Sequence, residues 1–268
     1  MRTTAAEPEK LPERVKQDVR QIYDAAGQAY LRQHSGASAR QAEAVVFSHK
    51  QPGLYWMQHK IGTAFALGRF SRTDRLLEVG CTAGDYTMML ARDGYQVTGL
   101  DISPESIKAA QLLARNLGLS RAEFIAADVD DMRVIPDESF DGVFSFSTLR
   151  YVPDPVRSLR EVRRVLRPGG RAVVDFPNKY CPWFEFLKFV MGGERHIHDH
   201  TYSTAQVRRM MERAGFVNIE ARRIIFFSKL FPANLVLLYK AVDAIAERIP
   251  GFNHSAGIIM CRGEKPAE

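Results

Sequence analysis

The stretch Leu76-Leu77-Glu78-Val79-Gly80-Cys81-Thr82-Ala83-Gly84-Asp85-Tyr86-Thr87 decides the fold. It begins as an apolar run with one acid in it, passes through a turn with glycines at 80 and 84, and continues into a helical pattern. Glycine lets the backbone turn tightly and approach a ligand, and the helix that follows presents free N–H groups at its start. Strand, turn and helix together read as the opening of an α/β unit, and taken alone they are a weak nucleotide-site signal.

Outward from this turn, short apolar runs alternate with helical patterns, as in a parallel sheet covered on both faces. Strands are expected at 75–80, 96–101, 123–127, 141–147, 171–176, 217–227 and 256–262. Ser103-Pro104 offers a helix N-cap followed by proline, with Ile107, Ala110, Ala114 and Leu117 forming one face. Asp154-Pro155 repeats the device before Val156, Leu159, Val162 and Leu166, and Pro168-Gly169-Gly170 is expected to stop that helix. Ser203 and Gln206 have capping-box spacing, and Asn234 to Ile249 reads as a helix, apolar in its first half. Upstream, Val15, Val19, Ile22, Ala26 and Tyr30 recur at helical spacing, His34 to Ser38 reads as a loop, and a second helix runs through Trp56, Ile61 and Leu67.

The 268 residues suit one α/β domain with attached helices. Hydrophobic residues at 46% and charged residues at 25% exclude a disordered or fibrous chain. The net charge of +6 comes from scattered Lys and Arg, without the clustered basic face of a nucleic-acid binder, so no nucleic-acid partner is expected. Three widely spaced cysteines, Cys81, Cys181 and Cys261, suit a reducing compartment. Glu7, Glu9, Lys10 and Glu13 stand where a signal peptide needs an apolar stretch, so a cytoplasmic location is expected.

Two acids give the glycine turn its meaning. Val97-Thr98-Gly99-Leu100-Asp101 places a carboxylate about twenty residues past the turn, where it can accept from ribose hydroxyls, with Ile102 beside it. Phe124-Ile125-Ala126-Ala127-Asp128 ends the next strand on another, placed to accept from an adenine amine.

This ordered set resembles the class I S-adenosylmethionine-dependent methyltransferases, particularly their small-molecule branch, over residues 70 to 176 and more loosely to 262. Phe140-Asp141-Gly142-Val143 matches the fourth-strand motif, and Arg164-Val165-Leu166-Arg167-Pro168-Gly169-Gly170 matches the segment before strand five. The resemblance implies a Rossmann-like, doubly wound, seven-stranded, mostly parallel sheet whose last strand is antiparallel, with N-terminal helices and a helical cap. It implies a helical lid at 1–69 and a catalytic domain at 70–268, with acceptor-pocket insertions near 177–202 and 228–252. S-adenosylmethionine is the implied cofactor. Glu78 orients the turn and the methionine amine, while Gly80, Cys81, Thr82 and Gly84 form the turn. The resemblance also implies that Asp101 and Ile102 take the ribose, that Asp128 and the Val129 backbone take the adenine, and that Ser145, at the end of the fourth strand, belongs to the cofactor site. Tyr30 matches the segment that relatives fold over the cofactor. Two positions depart from the pattern: Thr82 replaces the middle glycine, and Arg150 stands where many relatives carry histidine.

Methyl transfer is an in-line displacement to which the protein contributes orientation and exclusion of water; a base matters when the acceptor holds its proton. His196, His198 and His200 alternate on one face of an extended segment and are candidates for a base or acceptor contact, with ordinary loop histidines as the alternative. No metal site is expected. Tyr151 follows the fourth strand at the ligand edge and is a candidate for the acceptor wall. The apolar 226–242 segment reads as core or homo-oligomer contact, or as a hydrophobic acceptor tunnel or lipid-facing patch. It points to a small hydrophobic acceptor of lipid, prenylated or polyketide-like type, with C, O and N all open as the attacking atom. A cyclase or non-catalytic binding module on the same fold is the alternative. A nicotinamide oxidoreductase fits less well, because Thr82 breaks the G-x-G-x-x-G pattern and no tyrosine has a lysine four residues on.

Overall fold

Side chains along the central strands point alternately to the two faces of the sheet, and both faces are buried. The computed structural model describes residues 12–34, 36, 38–47, 53–182, 200–227 and 232–267. Its strands are β1 (Arg75–Val79), β2 (Gln96–Asp101), β3 (Ala122–Ala126), β4 (Phe140–Ser145), β5 (Leu166–Pro177), β6 (Val217–Ile224) and β7 (Ile258–Glu264). They form one sheet in the order β3-β2-β1-β4-β5-β7-β6. β7 runs antiparallel to both neighbours, and the remaining pairings are parallel. The expected seven-stranded, doubly wound sheet with an antiparallel last strand is therefore present.

The helices are α1 (Pro12–His34), α2 (Ala39–Phe47), α3 (Gly53–Gly68), α4 (Asp85–Arg92), α5 (Pro104–Asn116), α6 (Pro155–Val165), α7 (Thr204–Arg213) and α8 (Val236–Ala246). Leu77, Val79, Val143 and Val174 pack toward α6 and α7 with Leu159, Val162 and Met211. Their strand neighbours Leu76, Phe144 and Val173 point the other way, onto Ala64 and Leu67 of α3. Period-two alternation thus buries both faces of the sheet.

The caps fall where the sequence places them. Ser103 accepts from Ser106 N–H at 3.0 Å, Asp154 accepts from Val156 N–H at 3.0 Å, and Ser203 with Gln206 forms a complete capping box. Several boundaries differ from expectation, β3 and β4 by one or two residues and others by more. α6 ends at Val165, so Leu166 pairs with Phe140 in β5 instead of extending the helix, and Pro168-Gly169-Gly170 lies within the extended segment. β6 stops at Ile224, and β7 begins at Ile258. α2 was not expected, yet Ser38 and Gln41 exchange capping bonds, Ser38 N–H donating to Gln41 Oε1 at 2.8 Å. The same S-x-x-Q spacing that marks α7 was present there to be read.

α1 lies across the start of α5. At Gly27 a Cβ would come within 2.5 Å of the Ser106 backbone nitrogen, so only glycine permits this approach. Ser103 Oγ donates to Asp24 at 2.6 Å, and Ser106 Oγ donates to the Tyr23 carbonyl at 3.1 Å. These contacts hold α1 over the carboxyl ends of β2 and β3. The strand order changes direction between β1 and β4, and the crevice beyond that point is where open α/β sheets bind ligands.

Candidate active site

The β1–α4 turn is held by its own backbone and by one acid. Gly80 and Cys81 N–H groups both donate to the Leu100 carbonyl, at 2.7 and 3.0 Å. Gly80, Thr82 and Gly84 all adopt positive φ, at 79°, 51° and 86°. At Gly80 a Cβ would stand 1.9 Å from Thr148 Oγ1, so neither the backbone nor the space admits another residue. Thr82 occupies a left-handed conformation that a β-branched residue rarely adopts. Its N–H donates to Asp101 Oδ2 at 2.9 Å, while Asp101 Oδ1 accepts from Ser103 N–H at 2.9 Å. Burial raises the Asp101 carboxyl, and these two backbone bonds oppose the rise.

Beneath the turn, Glu78 is buried with Thr87 Oγ1 donating to it at 2.5 Å. Burial pushes its carboxyl up to about 8, with the Asp85 and Asp101 charges adding to the rise and the Thr87 bonds opposing it. No cation pairs with Glu78 among the described residues. A buried acid lacking a positive partner beside a glycine turn matches an incoming ammonium group.

A cavity of about 590 Å³ extends from this edge into the protein. Its outer wall carries Gly80, Thr82, Asp101, Ile102, Asp128 and Val129. Asp128 Oδ2 accepts from Lys16 of α1 at 2.7 Å, and the same ammonium lies 2.7 Å from Asp130. Lys16, Val19 and Tyr23 thus close the cavity from the α1 side. The inner wall is largely apolar, with Trp56, Phe146, Tyr151, Ile225, Phe226 and Phe227. Trp56 Nε1 donates to the Phe227 carbonyl at 2.7 Å, joining α3 to the chain after β6.

The remaining sequence candidates fall in different places. Glu78, Cys81, Gly84 and Ser145 stand behind the cavity surface. Ser145 Oγ donates to the Val79 carbonyl at 2.9 Å, and burial pushes the Cys81 thiol up. Tyr30 packs with the Ala42, Met88 and Leu113 cluster, its hydroxyl buried without a hydrogen-bond partner among the described residues. Tyr151 lines the cavity beside Arg150, whose guanidinium lies 5.5 Å from the Tyr151 ring centroid. His196 and His198 lie outside the described residues. His200 is exposed, and its N–H donates to the Arg150 carbonyl at 3.2 Å. Its side chain is not part of the described cavity wall.

Sequence reasoning missed Lys16, Lys60, Ser147 and Asp175. The readable signals were a lysine amid the apolar residues of α3 and an aspartate inside the run Ala172 to Phe176, since charges are seldom fully buried without a partner. His59, Asp243 and Glu247 also converge. Both Asp243 oxygens and one of Glu247 are engaged: Asp243 accepts from Tyr55 and from Phe226 N–H, and Glu247 Oε1 binds His59 and Ile225 N–H. The cluster fastens α8 to α3 and to the chain after β6. Burial disfavours the His59 cation, but the Glu247 hydrogen bond and charge, with that of Asp243, outweigh it and raise the imidazole.

Residues 77–174 match the family described as Methyltransferase domain. The chain belongs to the S-adenosylmethionine-dependent methyltransferases. It is 30% identical over 173 residues to a ubiquinone biosynthesis O-methyltransferase of Aeromonas salmonicida, a match covering 61% of this chain and 68% of that protein. It is 32% identical over 166 residues to an S-adenosyl-L-methionine-dependent Diels-Alderase of Talaromyces variabilis, covering 56% of this chain and about half, 55%, of that one. Among solved structures, the cyclase SpnF superposes with a TM-score of 0.58 at 25% identity, over 79% of this chain and 81% of that chain.

Proposed function

We propose that the protein transfers the methyl group of S-adenosylmethionine to a small hydrophobic acceptor held in the inner half of the cavity. The carrying observation is that one cavity joins the acid-lined turn to an aromatic chamber, Asp101 and Asp128 at one end and Phe226 and Phe227 at the other. The bound cofactor supplies an electrophilic methyl on a sulfonium. Asp101 would receive the ribose hydroxyls, Asp128 the adenine amine, and Glu78 would face the methionine ammonium from behind the turn. Trp56, Phe146 and Phe227 would exclude water and orient the acceptor. α1 would act as a lid, with Lys16 fastening it to Asp128 and Asp130. Tyr151 would form part of the acceptor wall, with His200 tied by its backbone N–H to the neighbouring Arg150 carbonyl.

The O-methyltransferase relative supports an acceptor of quinone-precursor type. Leu237, Leu238 and Ile245 are 77%, 55% and 63% exposed. Exposed Lys240 and Arg248 flank them, while Asp243 and the following Glu247 are hydrogen-bonded inward. This supports contact with an anionic lipid surface that could carry such an acceptor. No helix among the described residues is long and apolar enough to cross a membrane.

A second reading, cyclisation with the cofactor bound, is favoured by the Diels-Alderase and SpnF matches. Incubation with methyl-labelled S-adenosylmethionine and lipid extracts tests both. Label in an extractable product together with S-adenosylhomocysteine supports transfer; a rearranged product without either supports cyclisation.

A further inference from the structure

Two polar residues that cofactor binding does not require, Ser147 and Asp175, line the largely apolar inner chamber, and Lys60 stands behind them. Lys60 of α3 and Asp175 of β5 each expose 2% of their side chains, with Nζ 2.7 Å from Oδ2. The Lys60 ammonium also donates to Ser147 Oγ at 2.8 Å, and Ser147 N–H donates to Asp175 Oδ1 at 2.6 Å. Ser147 holds a left-handed φ of 58° in order to make these contacts. The rings of Trp56 and Phe146 flank the ammonium, at 5.0 and 5.7 Å to their centroids.

Packing alone does not account for this group. Desolvating two charges offsets much of their attraction, and an apolar pair of similar volume would hold α3 against β5 at least as well. A serine in the left-handed region adds strain, and such strain gathers at ligand sites. Asp175 and Ser147 both face the cavity. Asp175 Oδ2 is paired with the Lys60 ammonium alone, which leaves it a second lone pair. The Ser147 oxygen accepts from Lys60, which leaves its own O–H to donate.

We propose that Asp175, Ser147 and Lys60 form the subsite that receives a hydroxyl group of the acceptor. The acceptor O–H donates to Asp175 Oδ2, and the acceptor oxygen takes a hydrogen bond from the Ser147 hydroxyl. A phenol or alcohol supplies both halves of this pairing. A carboxylate meets Asp175, an ammonium meets Lys60, and a carbon-only group satisfies neither. The inference rests on the methyl-transfer reading and deepens it, because it makes oxygen the attacking atom.

The test compares para-butylphenol with para-butyltoluene, which lacks the hydroxyl, by calorimetry on the protein with and without saturating S-adenosylhomocysteine. The phenol is expected to bind at least about tenfold tighter, as a hydrogen bond to a charged partner implies. In the paired variant Lys60→Met with Asp175→Leu, which removes both charges together and so keeps the fold, that preference is expected to vanish. Ser147→Gly, which suits the left-handed backbone, is expected to reduce it severalfold. Equal binding of the two ligands by the unaltered protein, no binding of the phenol, or a preference that survives the paired variant overturns the subsite. S-adenosylhomocysteine affinity reports separately on the wider reading: its absence strikes the methyltransferase assignment, and the phenol comparison still decides the subsite.

Discussion

Replacing Glu78 by glutamine tests the electrostatics of the site most directly. In the folded protein its carboxyl is raised from 4.5 to about 8, mainly by burial. An acid raised in this way gives stability that is fully present below the unfolded value and is lost as pH climbs to the folded one. Between those limits the native state holds a proton that the unfolded chain has released, so stability falls by about 1.4 kcal/mol per pH unit. Over the whole window this amounts to on the order of 5 kcal/mol. Glu78→Gln cannot titrate and keeps an oxygen for the Thr87 hydroxyl. Urea unfolding from pH 5.5 to 8.5 should therefore show the variant gaining on the parent protein with each unit, overtaking it in the alkaline half. An incoming cofactor ammonium would drive the proton off, so binding at pH 7 should release most of a proton. Calorimetry in buffers of different ionisation enthalpy measures that number, and Glu78→Gln should abolish it. Parallel stability curves for the two proteins would refute the burial argument, and binding by the parent without proton release would refute the pairing with the ammonium.

Asp101→Ala should weaken S-adenosylmethionine binding by at least about a hundredfold, as the loss of two charged hydrogen bonds implies, and should also strand the Thr82 and Ser103 N–H groups; undiminished calorimetric binding would contradict its ribose role. Gly80→Ala drives a Cβ against Thr148 at a positive φ and should cost roughly 2–3 kcal/mol, a fall of about 5–10 °C in melting temperature. Adding Thr148→Ala should restore only part of that fall, because the backbone strain remains, and an unchanged melting temperature in the single variant would count against the geometry. Leu237→Glu with Leu238→Glu should abolish co-sedimentation with phosphatidylcholine–phosphatidylglycerol vesicles while leaving cofactor affinity unchanged; equal sedimentation of parent and variant would remove the lipid-surface proposal.

The sheet was legible because its signals are local. The central strands carry short apolar runs, and Ser103, Asp154 and Ser203 announce their helices through caps that act within three residues. Boundaries were less legible where pairing overrides propensity: Leu166 fits the periodicity of α6, but its partner Phe140 draws it into β5. Ser145 sits at a strand end suited to a ligand, yet its hydroxyl is spent on the neighbouring strand's Val79 carbonyl.

By itself the sequence determined the order of acids around a glycine turn, and hence the cofactor edge, because a parallel sheet brings the ends of consecutive strands to one side whatever else the chain does. Only the tertiary structure decided the acceptor side. Lys60 reaches Asp175 and Lys16 reaches Asp128 across long sequence separations, and no periodicity records which buried charge meets which. The aromatic chamber likewise exists only because α3, β4 and the chain after β6 converge, so its chemistry depends on packing and not on any motif.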